Sequence, residues 1–291
     1  MSTSDNNRVT LDRRQEAQVP ARGFTHGGKF HSDDVFATAL LRILRPDIEV
    51  ERGFSVPEEF DGIVYDIGRG KFDHHQEDKE YRDNEVPYAA FGLLWREYGA
   101  YLVGEEEAAR FDEHFIQPLD LSDNTGCSQP LAEMIAEFNP GWDDDTSADE
   151  AFWKAEAVAE QILNNHFESV YGIYRAKALV QRDMEAGDGQ VLILSQYAPW
   201  KSVVVGSGYI YVVYPSNRGG YSVQGVPREE GELELICDFP EEWCGKEAEQ
   251  LRELTGIEGL RFCHPNGFLC AAETLEDAVA AARLSIRLHQ S

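Results

Sequence analysis

The chain has 291 residues, 42% of them hydrophobic, enough to bury a proper core and to form two domains. No stretch approaches twenty consecutive apolar residues, so the sequence offers no membrane-spanning helix. With 53 acidic against 26 basic residues and a formal charge of −27, it lacks the basic face of a tight duplex binder and reads as a solvated acidic surface, as in a salt-tolerant protein.

Residues 1–20 are polar and mixed in charge, without an apolar segment, and read as a disordered tail rather than a secretion signal. Arg8, Arg13 and Arg14 hint at an organellar presequence, but Asp5, Asp12 and Glu16 argue against one. The run Phe24-Thr25-His26-Gly27-Gly28-Lys29-Phe30-His31-Ser32-Asp33-Asp34 puts His26, His31 and Asp33 where a short strand turns into a helix. Val35, Phe36, Ala39, Leu40, Ile43 and Leu44 recur at helical spacing, with Ser32 or Asp33 as the N-cap. Capping and the helix dipole account for the polar residues at 31–34, but not for His26.

A second strand, Ile63-Val64-Tyr65, ends in Asp66, and Asp73-His74-His75-Gln76 follows a few residues later. Alone, paired histidines could cap a turn; mixed with carboxylates they offer the neutral nitrogen and anionic oxygen that suit a hard or borderline divalent ion. A helix is expected over 105–116, and then Leu119-Asp120-Leu121-Ser122-Asp123-Asn124-Thr125-Gly126, which by itself is a loop of turn formers. Side chains gathered at successive strand ends suit a site beyond the carboxyl edge of an α/β sheet. His26, His31, Asp33, Asp66, His74, His75 and Asp123 together suffice for two cations with one bridging carboxylate.

A long helix over 149–184 carries an apolar stripe from Phe152 to Tyr174 that reads as core; His114 and His166 read as packed or exposed histidines. A linker is expected at 185–189, then strands at 191–194, 202–205, 209–214 and 221–225, a helix at 246–254, a strand at 260–263 and a closing helix from 274. The pattern predicts an α/β protein. Its first domain, 21–186, has a mostly parallel sheet with flanking helices, and a smaller α+β domain with an antiparallel sheet fills 187–291. Five cysteines without a Cys-x-x-Cys pair suit ordinary thiols in a reducing cytoplasm.

On these motifs the chain resembles the DHH phosphoesterase superfamily, and within it the melanocyte proliferating gene family (uncharacterised protein family 0160). That family carries THNGTFHCDE, VDVGG, DHHQ and DAIDNG-like elements. They match Thr25 to Asp34, Tyr65-Asp66-Ile67-Gly68-Arg69-Gly70, Asp73-His74-His75-Gln76 and Asp120-Leu121-Ser122-Asp123-Asn124. Further likeness lies in Pro199-Trp200-Lys201, Tyr211-Val212-Val213-Tyr214-Pro215, Val223-Gln224-Gly225-Val226-Pro227 and His264-Pro265-Asn266-Gly267-Phe268. Ser32, Asp34 and Arg69 depart from the pattern, which leaves the surroundings of the ligands and the substrate preference open.

The resemblance implies a DHH-like fold with the site between two domains, two divalent cations (Mn or Mg), and a 3′-to-5′ exonuclease acting on single-stranded RNA or short oligonucleotides. His26, His31 and Asp66 would hold one ion. Asp33, Asp66, His74 and Asp123 would hold the other. Asp73 would orient an imidazole, and His75 would act on the scissile phosphate or leaving group. Asp120 would be either a further ligand or a supporting acceptor. Lys201, His264 and Gly267 would position substrate. A phosphatase of dinucleotides or small phosphoanhydrides is the alternative enzyme, and a metal- or nucleotide-binding protein without catalysis the alternative class. No membrane partner is implied, and nothing in the sequence specifies an oligomeric state.

Overall fold

A computed structural model describes residues 12–187 and 189–290. The chain forms two compact units, one up to Gly172 and one from Ile173, each described on its own below. The division falls inside a long helix rather than at the linker expected near residue 187. Of the expected 1–20 tail, residues 1–11 lie outside the described residues; 12–20 carry a short 3-10 turn, Arg14–Glu16, and a buried Val19.

The first unit is built on three parallel strands in the order β2-β1-β3: β1 Arg22–His26, β2 Glu49–Gly53 and β3 Ile63–Val64. Parallel neighbours require a crossover, and helix α1, Ser32–Leu44, supplies it between β1 and β2. Almost every residue of α1 is buried, which explains why its apolar spacing was so legible. Next come α2 (Ala90–Val103), α3 (Glu105–Phe111), a π-type turn (Asp112–Ile116), α4 (Gln117–Thr125) and α5 (Pro130–Ala136). Phe36 of α1 stacks on Phe91 of α2 with ring centroids 5.4 Å apart, and Trp95 stacks on Phe167 at 5.9 Å.

The segment holding Asp120 and Asp123 is helix α4, not a loop. Pro118 at its start suits the first turn, where no N–H is missed, and Gly126 ends it at φ +71°. The helix expected over 105–116 is α3 followed by the π-type turn.

The long helix α6, Ala148–Glu185, belongs to both units. The second unit contains a five-stranded sheet, β4-β5-β6-β8-β7, with β4 Val191–Ile193, β5 Tyr211–Pro215, β6 Tyr221–Gly225, β7 Leu260–Cys263 and β8 Leu269–Ala272. Strand alternation feeds two cores. Tyr211 and Val213 face one with helix α9 (Leu275–His289), while Val212 and Tyr214 face another with Ala176 and Val180 of α6.

The sheet is mixed rather than purely antiparallel, since β4 and β5 run parallel. Residues 202–205, expected as a strand, instead lie in the one-turn helix α7, Lys201–Val204, and at its C-cap, Val205. The Trp200 carbonyl accepts from the N–H groups of both Val203 and Val204, and Val204 is buried. Helix α8, Ala248–Thr255, completes the unit.

One partly buried ion pair links α1 to α6. Arg42 donates to Glu156 at 2.8 Å, and Glu156 is 1% exposed. Burial pushes the Glu156 carboxyl up to about 7, against the pull of Arg42. A carboxyl raised on folding favours the native state below its unfolded pKa, and that advantage disappears as pH rises towards 7. Glu156→Gln should therefore raise the melting temperature relative to wild type more at pH 8 than at pH 5. An equal difference at both pH values in a thermal melt would contradict this.

Candidate metal centre

β1 and β3 pair in parallel, so their carboxyl ends lie together: His26 closes β1, and Asp66 follows β3 after Tyr65. The Tyr65 N–H donates to the Phe24 carbonyl at 3.1 Å, and the Asp66 N–H donates to the Phe72 carbonyl at 3.0 Å. Asp66 sits at φ +54°, a left-handed conformation unusual for a residue other than glycine and one that tends to mark functional sites. Its Oδ2 lies 3.1 Å from His26 Nε2, and Asp34 Oδ2 lies 3.2 Å from the same nitrogen.

Helix α1 delivers the next carboxylates in its first turn. His31, not Ser32 or Asp33, is the N-cap, and its N–H donates to Asp34 Oδ1 at 2.9 Å. Asp33 and Asp34 are then fully buried at the positive end of the helix dipole. Thr38, one turn on from Asp34, shares a 2.6 Å hydrogen bond with the buried Tyr65 hydroxyl and ties α1 to the end of β3.

The loop after β3 brings in the paired histidines. His74 is buried, with Nε2 2.9 Å from Asp123 Oδ2 of α4 and Nδ1 3.4 Å from Asp66 Oδ1. His75 stacks on it at 4.2 Å, but its side chain is 60% exposed. Asp73 turns back into its own loop. Oδ2 accepts from the Arg69 N–H at 2.6 Å, and Oδ1 accepts from the His75 N–H and lies 2.9 Å from His75 Nδ1. Burial opposes its ionisation, but these donors outweigh it and hold the Asp73 carboxyl down at about 2.

Three sets of donor atoms gather here: Asp66, Asp73, His74 and His75; His26, Asp34 and Asp66; and His31, Asp33 and Asp123. All six residues expected as ligands are thus brought into one region. The grouping differs from the expected one, since His31 sits with Asp33 and Asp123 rather than with His26. Asp34 takes the place beside His26. Sequence reasoning passed over Asp34 as a capping residue, although its position one residue after Asp33 was the available signal.

Asp120, expected as either a further ligand or a supporting acceptor, accepts hydrogen bonds in the packed interior. It is fully buried, accepts from Arg82 Nη2 at 2.8 Å and the Gly92 N–H at 3.3 Å, and stands outside all three sets. A Cβ on Gly92 would collide with its carboxylate. Lys201, His264 and Gly267 lie in the second unit: Lys201 is exposed at the start of α7, and His264 and Gly267 form the β7–β8 turn, where the Gly267 N–H donates to the His264 carbonyl at 2.9 Å.

The donor set fits divalent cations. Both oxygens of Asp33, Oδ1 of Asp66 and Nδ1 of His74 are buried without a hydrogen-bond partner. Burial, with Asp66, Asp123 and Asp34 nearby, pushes the Asp33 carboxyl well above its usual range. Burial also opposes charge on His26, yet Asp34 and Asp66 prevail and raise it to about 10. Carboxyl groups crowded this way, facing imidazoles and in part without donors, are arranged to receive a cation.

The chain matches the Uncharacterised protein family (UPF0160) over residues 24–286. A MYG1 protein of Schizosaccharomyces pombe is 27% identical over 92% of this chain and 98% of its own length. The human MYG1 exonuclease is 29% identical over 94% and 88%, and a Dictyostelium discoideum MYG1 protein 26% identical over 89% and 94%. Among solved structures, RecJ from Thermus thermophilus in complex with Mg2+ is 14% identical and covers 97% of this chain and 52% of its own. Its TM-score is 0.27, a likeness too slight to argue from.

Replacing one crowded carboxylate with its neutral isostere separates repulsion from metal binding. Asn tolerates the left-handed backbone at position 66. Asp66→Asn should melt at or above wild type in chelator, and adding Mn2+ should raise the wild-type melting temperature by several degrees while leaving the variant unmoved. A variant that melts well below wild type in chelator, or that responds fully to Mn2+, contradicts this account.

Proposed function

The chain belongs to the Uncharacterised protein family (UPF0160), and from that premise we propose that it is a divalent-metal-dependent phosphodiester hydrolase of exonuclease type. The observation that carries the reading is the buried meeting of Asp33, Asp66 and Asp123 with His26, His31 and His74. Two Mn or Mg ions are the proposed cofactors, because the donors are oxygen and imidazole nitrogen with no thiolate among them. Asp66, which belongs to two donor sets, would help to hold both ions. When bound, such ions polarise a phosphoryl group and activate water.

The chain's own residues divide the remaining work. Asp73 accepts from His75 Nδ1 and favours the imidazolium form, so the exposed ring, when protonated at Nε2 as well, can give that proton to the leaving oxygen. His74, buried against Asp123 and Asp66, holds metal rather than substrate. Lys201 and the His264–Gly267 turn are assigned to positioning the rest of the substrate. The exposure of Lys201 and the left-handed backbone of Gly267 at φ +66° support that assignment.

Single-stranded RNA or short oligonucleotides, processed from an end in the 3′-to-5′ direction, are the proposed substrates. A surface at −27 disfavours long duplexes, since few phosphates away from the centre would be neutralised. The same charge favours the second reading, a phosphatase of dinucleotides or small phosphoanhydrides. Five free thiols support a reducing, cytoplasmic setting. Among the described residues no helix is long and apolar enough to cross a membrane.

Labelled single strands from dinucleotides to about thirty residues, with and without chelator, test the activity. Metal-dependent shortening from one end is expected, with short oligomers cut at least as well as long ones. Chelator-resistant activity, or cleavage of circular single strands, would overturn the proposal. Within the histidine pair, His74→Ala should lose bound metal by elemental analysis. His75→Ala should keep its metal and lose turnover roughly a hundredfold or more. Equal metal loss in both would refute the division.

A further inference from the structure

We propose that Phe54 is a base-stacking platform beside the metal centre, and that Lys29 and Arg69 hold the phosphate of the nucleotide whose base it stacks. This deepens the nuclease reading above and rests on it. Gly53, the last residue of β2, pairs with His26 at the end of β1, so the chain emerges at Phe54 next to the Gly27-Gly28-Lys29 loop. The Phe54 ring is 87% exposed, and a Cβ placed on Gly28 would lie 3.2 Å from its Cε1. The ring therefore rests on bare backbone, with most of its surface open. One exposed aromatic ring is ordinary on a protein surface; its neighbours distinguish this one.

A cavity of about 490 Å³ opens in front of the centre, lined by His26, Asp66, Asp73 and His75 together with Lys29 and Arg69. In the same unit Arg22, Arg42, Arg52, Arg82, Arg96 and Lys71 all pair with carboxylates. Lys29 and Arg69 enter no such pair among the described residues, although acidic side chains outnumber basic ones about twofold. Two uncommitted cations at the mouth of an anionic cluster attract an anion that brings its own charge to the site. Lys29 also lines a second cavity of about 500 Å³ with Asn139 and Thr146, so a chain held there has room to continue.

Phosphate cations beside an aromatic face make up the recognition unit for single-stranded nucleic acid, tolerant of sequence because every base presents a π-face. A duplex keeps its bases stacked on one another and could not use Phe54. The class of ligand is therefore a single-stranded nucleotide chain of at least two residues.

End-labelled trinucleotides, intact or abasic at each position in turn, test this by equilibrium anisotropy with Ca2+ present, beside kcat/KM with Mn2+. Phe54→Ala should weaken binding of the intact trinucleotide about tenfold, and Phe54→Trp should preserve it. One abasic analogue should bind wild type about tenfold more weakly, and Phe54→Ala should not weaken that analogue further. Lys29→Ala and Arg69→Ala should each lower the slope of log Kd against log salt by about 0.7. Equal losses for intact and all abasic ligands, no loss at all, unchanged salt slopes or absence of binding would overturn the proposal. Binding with this pattern but without metal-dependent cleavage would overturn the nuclease reading instead and leave the stacking site standing.

Discussion

Crowding of buried carboxylates is the constraint on which the centre depends. Asp33, Asp34 and Asp66 are out of water, and Asp123 has atoms within 4.8 Å of Asp33. Two like charges at that spacing repel by about 3.5 kcal/mol even at a surface-like dielectric. The chain supplies partial compensation: the amino end of α1, the imidazoles of His26 and His74, and the His31 N–H. Compensation stops short at Asp33, whose two oxygens have no donor. The fold holds these groups in place through the β1–β3 pairing, the Thr38–Tyr65 hydroxyl pair and the capped start of α1.

The parts legible in the sequence are those in which one residue type serves one purpose. The helical spacing from Val35 to Leu44 reports burial of α1 directly, and Val191, Tyr211 and Val213 report a sheet because alternate side chains fill one core. The candidate site was legible because imidazoles and carboxylates cluster at strand ends, where capping alone does not account for His26. Residues with two jobs were harder to read. Asp34 is both the acceptor for the His31 N–H and a neighbour of His26, and the first role hid the second. The valines after Trp200 have strand propensity, but the Trp200 carbonyl and the burial of Val204 impose a helical turn. Tertiary context decided there, and no local pattern records it.

The acidic composition also looks different once the cations are placed. Most guanidinium groups of the first unit serve architecture: Arg52 lies over the Phe152 ring at 4.0 Å and donates to the Gly28 carbonyl, steadying the loop between His26 and His31. Arg82 anchors Asp112 and Asp120. With the basic side chains so committed, net charge says little about the local field at the site. The two left free at the cavity mouth matter more than the total of −27.

Helix α4 shows how the same side chain acquires opposite roles one turn apart. Asp120 points into the packed interior, where Arg82, the Gly92 N–H and the absence of a side chain on Gly92 complete its surroundings. Burial still raises its carboxyl to about 7, but the guanidinium pulls against that and the acceptors are filled. Asp123 faces His74 and lies beside the buried carboxyl of Asp33. A carboxylate with its donors in place is architecture. One placed against another unsatisfied carboxylate is left with valence for a ligand, and that difference, more than burial or motif, separates the residues of α4 that hold the protein together from the one that can hold an ion.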